Sequence, residues 1–184
     1  MAHAILLGDS IFDNRGYVPE GHEVAMQLRS HLGDAHEVTL GARDGSVLAD
    51  MPAQFREVAS LRDASTNQAP THLVISCGGN DVLGLVGAMQ SPVASVLEAA
   101  EMLAAWQADF RRGYRAMLQQ ADACGLRLVC ADAGDYSAVS PIEPSSDGGR
   151  KIAASIAELL LADETDVVRT VVFGAKALRP GPAG

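Results

Sequence analysis

Residues 4–11, with the sequence AILLGDSI, contain the pattern around which the rest of the chain is organised. The apolar half of this stretch predicts a buried strand, and the Gly-Asp pair after it predicts a turn. In open α/β sheets the ends of parallel strands face the crevice where ligands bind, so Ser10 is expected there. A serine hydroxyl in that place is a candidate nucleophile that needs a base and an oxyanion site. The alternative is that Asp9 and Ser10 only cap a turn.

Length and composition predict a globular protein with one domain. The chain has 184 residues, of which 48% are hydrophobic and 20% are charged. We expect a single domain over 1–184, with a core over about 3–173 and a loose tail over 174–184. No apolar run approaches the ~20 residues of a membrane-spanning helix. No basic region with a long apolar stretch opens the sequence, so the expected location is the cytoplasm.

Charge and cysteine content exclude several classes of site. The net charge is −9 and no Lys/Arg cluster occurs, which weighs against nucleic acid or an anionic membrane as a partner. Cys77, Cys124 and Cys130 lack the spacing of metal ligands, and their odd number argues against a disulfide framework. We expect small buried or half-buried thiols and no metal site. Neither of the common glycine-rich nucleotide motifs follows a strand, which disfavours a nucleotide-binding domain.

Strands alternate with helices along the chain. Further strands are predicted over 38–40, 73–77, 126–131 and, at an edge, 167–173. Helices are predicted over 21–32, from Ser46 over 47–59, from Ser91-Pro92 to Ala121, and around Ile152 to Leu160. Pro52 is expected to delay or kink the second of these helices. This alternation calls for parallel pairing with right-handed crossovers, and hence for a three-layer α/β/α sandwich. Ser10, Gly45, Asn80 and the loop 132–146 would then converge on one crevice.

Several motifs in this order resemble the GDSL, or SGNH, hydrolases. They are GDSI at residues 8–11, Gly45, GGND at residues 78–81, and the Pro-Ser-x-x-Gly segment over 144–148. The resemblance covers nearly the whole chain. It implies a flavodoxin-like parallel sheet, and an activity as a serine esterase, lipase, thioesterase or acetyl-hydrolase. It implies no cofactor.

The resemblance also implies residue roles. Ser10 would be the nucleophile that attacks a small carboxylic ester and forms an acyl-Ser10 intermediate. The backbone N–H groups of Ser10 and Gly45 and the side-chain amide of Asn80 would form the oxyanion hole, where one donor is typically worth ~10²–10³ in rate. Asp9 and Asp81 would border the bound substrate.

Two departures from the family pattern stand out. Where the family has Asp-x-x-His-Pro before the last helix, this chain has SPIEPS over 140–145. Glu143 therefore occupies the histidine position, and Ser140 occupies the aspartate position. In addition, the segment between Asp81 and Ser140 is one strand–helix unit shorter than in typical members, so the sheet is reduced or is completed by 167–173.

The identity of the general base stays open at this point. An unperturbed Glu has a pKa of ~4.3, far from the near-neutral value that suits a base, so Glu143 predicts slow hydrolysis or none. Among the histidines only His22 is expected on the side of Ser10, because His3 and His72 open strands and two others flank the end of the first helix. His22 is therefore an alternative to Glu143 as the base. The other alternative is that the protein has no turnover and only binds an acyl or glycan ligand.

Overall fold

A parallel sheet forms the centre of the protein. The structure is a computed structural model that describes residues 1–63, 69–130 and 144–161. In this part of the chain the strands are β1 (His3–Gly8), β2 (Glu37–Leu40), β3 (His72–Ser76) and β4 (Arg127–Cys130). They pair in the order β2-β1-β3-β4, all parallel. The strands that precede Ser10 and Asn80 are therefore neighbours in the middle of the sheet.

Helices cover both faces of the sheet. They are α1 (Val24–Leu32), α2 (Met51–Asp63), α3 (Gly79–Leu83), α4 (Val86–Met89), α5 (Val96–Ala123) and α6 (Ser146–Leu161). Alternate residues of β1 point to opposite faces. Ala4 and Leu6 pack with α1 and α6, whereas Ile5 and Leu7 pack with α2 and α5. This confirms the three-layer α/β/α sandwich.

Two helices begin later than the sequence pattern predicts. The helix expected over 21–32 starts at Val24, whose N–H donates to the buried side-chain oxygen of Asn14 at 3.1 Å. The helix expected from Ser91-Pro92 starts at Val96. There the Ser95 hydroxyl accepts the N–H of Glu98 at 3.1 Å. The Ser-x-x-Glu spacing of a capping box, and not the Ser-Pro pair, marks this helix start.

Pro52 has the expected effect on the second helix. A short 3-10 turn over Leu48–Asp50 comes first, and α2 follows from Met51 with Pro52 in its first turn. Proline is tolerated in that turn because its missing N–H would have no intrahelical partner there.

The remaining predictions concern the second half of the chain. Helices α3 and α4, directly after β3, were not predicted, and no residue of α5 before Met117 is buried. The strand expected over 167–173, the tail over 174–184 and nearly all of the loop 132–146 lie outside the described residues. Within those residues, every helix is too short or too polar to cross a membrane.

The central pair of strands makes a very close contact at Gly8. Gly8 pairs with Ser76 of β3 and has a φ of +119°. A Cβ atom at residue 8 would lie 1.6 Å from the carbonyl oxygen of Ser76. Only glycine fits this position, because both the backbone angle and the space exclude a side chain.

We expect Gly8→Ala to lower the free energy of unfolding by at least about 4 kcal/mol, measured by denaturant unfolding. The control is Gly21→Ala, where φ is +83° but no atom lies within 4 Å of the added Cβ. That variant should lose only about 1–2 kcal/mol of unfolding free energy, the cost of a side chain on a residue with left-handed backbone angles. Equal losses in the two variants would contradict the steric explanation.

Candidate active site

A tight turn after β1 holds Ser10 at the carboxyl edge of the sheet. The Asp9 N–H donates to the Ser76 carbonyl at 3.1 Å. The Asp9 carboxylate accepts the Ile11 N–H and the Ser76 hydroxyl, both at 3.2 Å. Ser10 is buried, with 5% of its surface exposed. The backbone N–H and the side chain of Asp9 thus both bind the Ser10 turn to Ser76 at the end of β3.

The loop after β2 is bound to the same turn. The Arg43 N–H donates to the Gly8 carbonyl at 3.0 Å, and the Asp44 N–H donates to the Asp13 carboxylate at 2.9 Å. Asp13 therefore binds the loop after β2 to the Ser10 turn. Gly45 has a φ of +77°, and its N–H has no acceptor among the residues that the structure describes. A backbone donor of this kind is available to a ligand.

The start of α3, directly after β3, is bound in turn to the loop after β2. The side-chain amide of Asn80 donates to the Ser46 carbonyl at 2.9 Å. The Asp81 carboxylate accepts the Leu48 N–H at 2.9 Å. An amide group has two N–H hydrogens, so Asn80 can hold the loop with one and donate to a second acceptor with the other.

Three segments from distant parts of the chain, two loops and the start of α3, are therefore joined at one edge of the sheet. They carry Ser10, Gly45 and Asn80, as predicted for these three, whereas nearly all of the loop 132–146 lies outside the described residues. Asp9 and Asp81 hold backbone N–H groups in place, and their contact with substrate stays a prediction. Glu143 and Ser140 lie outside the described residues.

The histidines are distributed as the strand order predicts. His3 and His72 are buried at the amino ends of β1 and β3, away from Ser10, and His3 Nε2 lies 2.9 Å from the Thr39 hydroxyl. His22 is exposed just before α1, at the carboxyl edge. Its carbonyl accepts a hydrogen bond from Gln27 at 2.6 Å, close to the start of α6.

Burial shapes the acid–base properties of two groups beside the turn. It raises the pKa of the Asp9 carboxyl above its ordinary value of 3.8. It also raises the pKa of the Cys77 thiol to about 12, with further contributions from the nearby Asp9 and Asp81 charges. Since the thiolate is the nucleophilic form, Cys77 borders the site without acting as a nucleophile at neutral pH.

Gln54 is a residue of this region that the sequence analysis did not single out. It lies on α2 with 1% of its surface exposed, and its side-chain amide contacts Gly8 and Ser46. The available signal was its spacing: Gln54 stands three residues after Met51 and four before Val58, on the apolar stripe of the helix. A glutamine on a buried stripe must find hydrogen-bond partners inside the protein.

Solved structures are similar to this chain in fold. An acetyl xylan esterase, AlAXEase, matches with a TM-score of 0.50 and 18% identity, over 86% of this chain and 71% of that chain. The chain shares the fold of this esterase. A lipolytic G-D-S-L family protein from Veillonella parvula also matches, with 14% identity, a TM-score of 0.48, and coverage of 87% of this chain and 70% of that one.

Est24, a carbohydrate acetylesterase from Sinorhizobium meliloti, is a third match. Its identity is 13% and its TM-score is 0.48, over 86% of this chain and 98% of that chain. No family model matches the sequence, and no curated protein matches it. At these identities the likeness concerns the fold alone, and the chemistry has to be argued from the site.

We expect Asp9→Asn to raise Tm at pH 7, by an amount that shrinks as the pH falls toward 4. Because burial raises the pKa of Asp9, the folded protein holds this proton more tightly than the unfolded chain. Stability is therefore lost as the pH rises from 3.8 through the raised pKa. Asparagine keeps an oxygen that can accept from Ile11 and Ser76.

The measurement is thermal unfolding of both proteins across pH 4 to 8. Asp34→Asn serves as the control, because it removes an exposed carboxylate. It should leave Tm nearly unchanged at each pH. A lower Tm for Asp9→Asn at pH 7 would show that the ionised carboxylate stabilises the turn, contrary to this expectation.

Proposed function

We propose that the protein is a cytoplasmic SGNH-type serine esterase that hydrolyses a small carboxylic ester through an acyl-Ser10 intermediate. The observation that carries the proposal is the cross-linking of the loops that hold Ser10, Gly45 and Asn80. A serine hydroxyl, a backbone donor with no acceptor among the described residues and a side-chain amide occur together at one edge of the sheet, which supports a nucleophile and an oxyanion site for acyl transfer.

In the proposed reaction, the Ser10 hydroxyl attacks the ester carbonyl carbon and its proton passes to a base. The carbonyl oxygen becomes an oxyanion that accepts hydrogen bonds from the N–H groups of Ser10 and Gly45 and from the Asn80 amide. The base returns the proton to the leaving alcohol as the tetrahedral intermediate collapses. Water then attacks acyl-Ser10, and the carboxylic acid leaves.

The base in this scheme is Glu143 or His22. Glu143 stands where the family has its histidine, and His22 lies at the carboxyl edge before α1. A carboxylate of ordinary pKa is a weak base at neutral pH, so Glu143 implies a low rate. Even without a base, a serine hydrolase keeps about 10³–10⁴ over water through its oxyanion hole and substrate binding.

An acetyl ester is the substrate to test first. The AlAXEase structure, which shares the fold, is by its name an acetyl xylan esterase. The net charge of −9 weighs against nucleic acid or an anionic membrane as a partner. The second candidate function is binding of an acyl or glycan ligand without turnover, and Glu143 in the histidine position is the observation that favours it.

We expect a fluorophosphonate probe to label the wild type and to leave Ser10→Ala unlabelled. Hydrolysis of p-nitrophenyl acetate should fall by at least about 10³-fold in that variant. The control is Ser60→Ala, which removes an exposed hydroxyl of α2 and should be labelled like the wild type. An unlabelled wild type, stabilised by an acyl or glycan ligand without turnover, would favour the binding function instead.

If Glu143 is the base, Glu143→Gln should lower kcat by about 10²–10⁴-fold, and the wild-type rate should fall on the acid side. His22→Gln should then keep its activity, because an exposed loop residue outside the mechanism can be replaced freely. The pH profile of kcat for the three proteins checks this. The opposite pattern would assign the base to His22, and unchanged kcat in both variants would remove both residues from the mechanism.

A further inference from the structure

We propose that Gln54 is a positioning residue that holds the Ser10 turn and the Gly45 loop at a fixed spacing. The inference rests on the proposed function, because the groups it positions are the nucleophile and two oxyanion donors. Gln54 lies in the first half of α2, beneath the carboxyl edge of the sheet, and touches neither substrate nor reacting atoms in the mechanism above.

The side chain of Gln54 forms two hydrogen bonds with Gly8, the last residue of β1. The Gly8 N–H donates to Gln54 Oε1 at 2.7 Å, and Gln54 Nε2 donates to the Gly8 carbonyl at 2.9 Å. The backbone groups fix the orientation of the amide, because an N–H can face only the oxygen. Gly8 lies two residues before Ser10, so this contact fixes the position at which the turn begins.

β1 needs such a partner because β2 ends too early. Their pairing stops at Leu6 opposite Leu40, and the N–H groups of Gly41 and Ala42 both return to the Leu6 carbonyl, at 2.8 and 2.9 Å. The Gly8 N–H therefore has no strand partner on that side. The Gly8 carbonyl still accepts the Arg43 N–H from the loop after β2, at 3.0 Å. Gln54 Oε1 therefore supplies the acceptor for the Gly8 N–H that a further residue of β2 would have supplied.

A third hydrogen bond extends the contact to the oxyanion loops. Gln54 Nε2 also donates to the Ser46 hydroxyl at 3.2 Å. Ser46 follows Gly45 directly, and its carbonyl accepts the Asn80 amide at 2.9 Å. One buried side chain thus connects the turn of the nucleophile with the loops that carry both other donors.

An apolar residue of the same shape cannot replace the Gln54 side chain, because it forms no hydrogen bonds with Gly8. An apolar residue of similar size would leave the Gly8 N–H buried without its acceptor, and the end of β1 would have to move to find another. A shift of about 1 Å in a positioning element can cost on the order of 10²-fold in rate. The expected consequence is a slower reaction at Ser10 in a protein that still folds.

The first measurement compares Gln54→Met with Val58→Ala, which removes buried apolar groups of the same helix from the core cluster it forms with the sheet. Amide exchange at Gly8, followed by NMR, should accelerate at least about tenfold more in Gln54→Met than in Val58→Ala. Equal exchange rates at Gly8 would overturn the inference, whatever the catalytic result, because Gln54 would not be holding β1.

The second measurement is the rate constant for fluorophosphonate labelling of Ser10 in folded protein. It should fall about 10- to 100-fold in Gln54→Met and stay at the wild-type value in Val58→Ala. Equal labelling of Gln54→Met and wild type would leave Gln54 a purely structural residue and overturn the positioning role. An unlabelled wild type would instead overturn the proposed esterase function, and the exchange at Gly8 would then decide the structural role alone.

Ser46→Ala covers the case in which Gln54→Met does not fold. It keeps both bonds between Gln54 and Gly8 and removes only the link to the Gly45 loop. Exchange at Gly8 should match the wild type, and labelling should fall about two- to tenfold. A labelling rate equal to that of the wild type would show that the link to the Gly45 loop positions nothing.

Discussion

The contact between Gly8 of β1 and Ser76 of β3 is the constraint on which the rest of the carboxyl edge depends. Here two backbones approach so closely that no Cβ fits, and the next peptide is bound by Asp9 N–H to the Ser76 carbonyl. β1 and β3 are neighbours in the sheet and run parallel, so the chain turns away from both at the same level. The loops that follow can therefore reach each other without long excursions.

Polar side chains then take over where regular secondary structure ends. Asp9, Asp13 and Asp81 each accept a backbone N–H, and for Asp13 and Asp81 the donor belongs to the loop after β2. Gln54 contributes both donor and acceptor groups from α2. Loops without strand pairing would otherwise lose their order easily, because each exposed peptide group can exchange its partner for water. Here the acidic groups act first as parts of the scaffold.

The layers of this fold were predictable from the sequence because they depend on local periodicity. The apolar runs over 4–7 and 73–77 mark the central strands, and the alternation with helices fixes parallel pairing. The start of α1 was placed wrongly because its cap comes from Asn14, ten residues earlier. The start of α5 was placed wrongly although its Ser-x-x-Glu signal is local.

The candidate site was predictable only as far as its topology. Strand order brings Ser10, Gly45 and Asn80 to one edge, and that order follows from the alternation of elements. The bonds that fix the loops join residues far apart in the chain, such as Gln54 with Gly8 and Asp81 with Leu48, and no local pattern announces them. The position of Glu143 lies outside the described residues and stays a prediction. Helix α5 adds a different property to this edge. Its 28 residues span about 42 Å, about two to three times the length of the strands, and none of its residues before Met117 is buried. Unwinding from Val96 breaks intrahelical hydrogen bonds and little apolar packing, so that end can fray while the sheet and its loops stay intact. The first turns of α5 are thus expected to open more easily than the sheet that carries the loops.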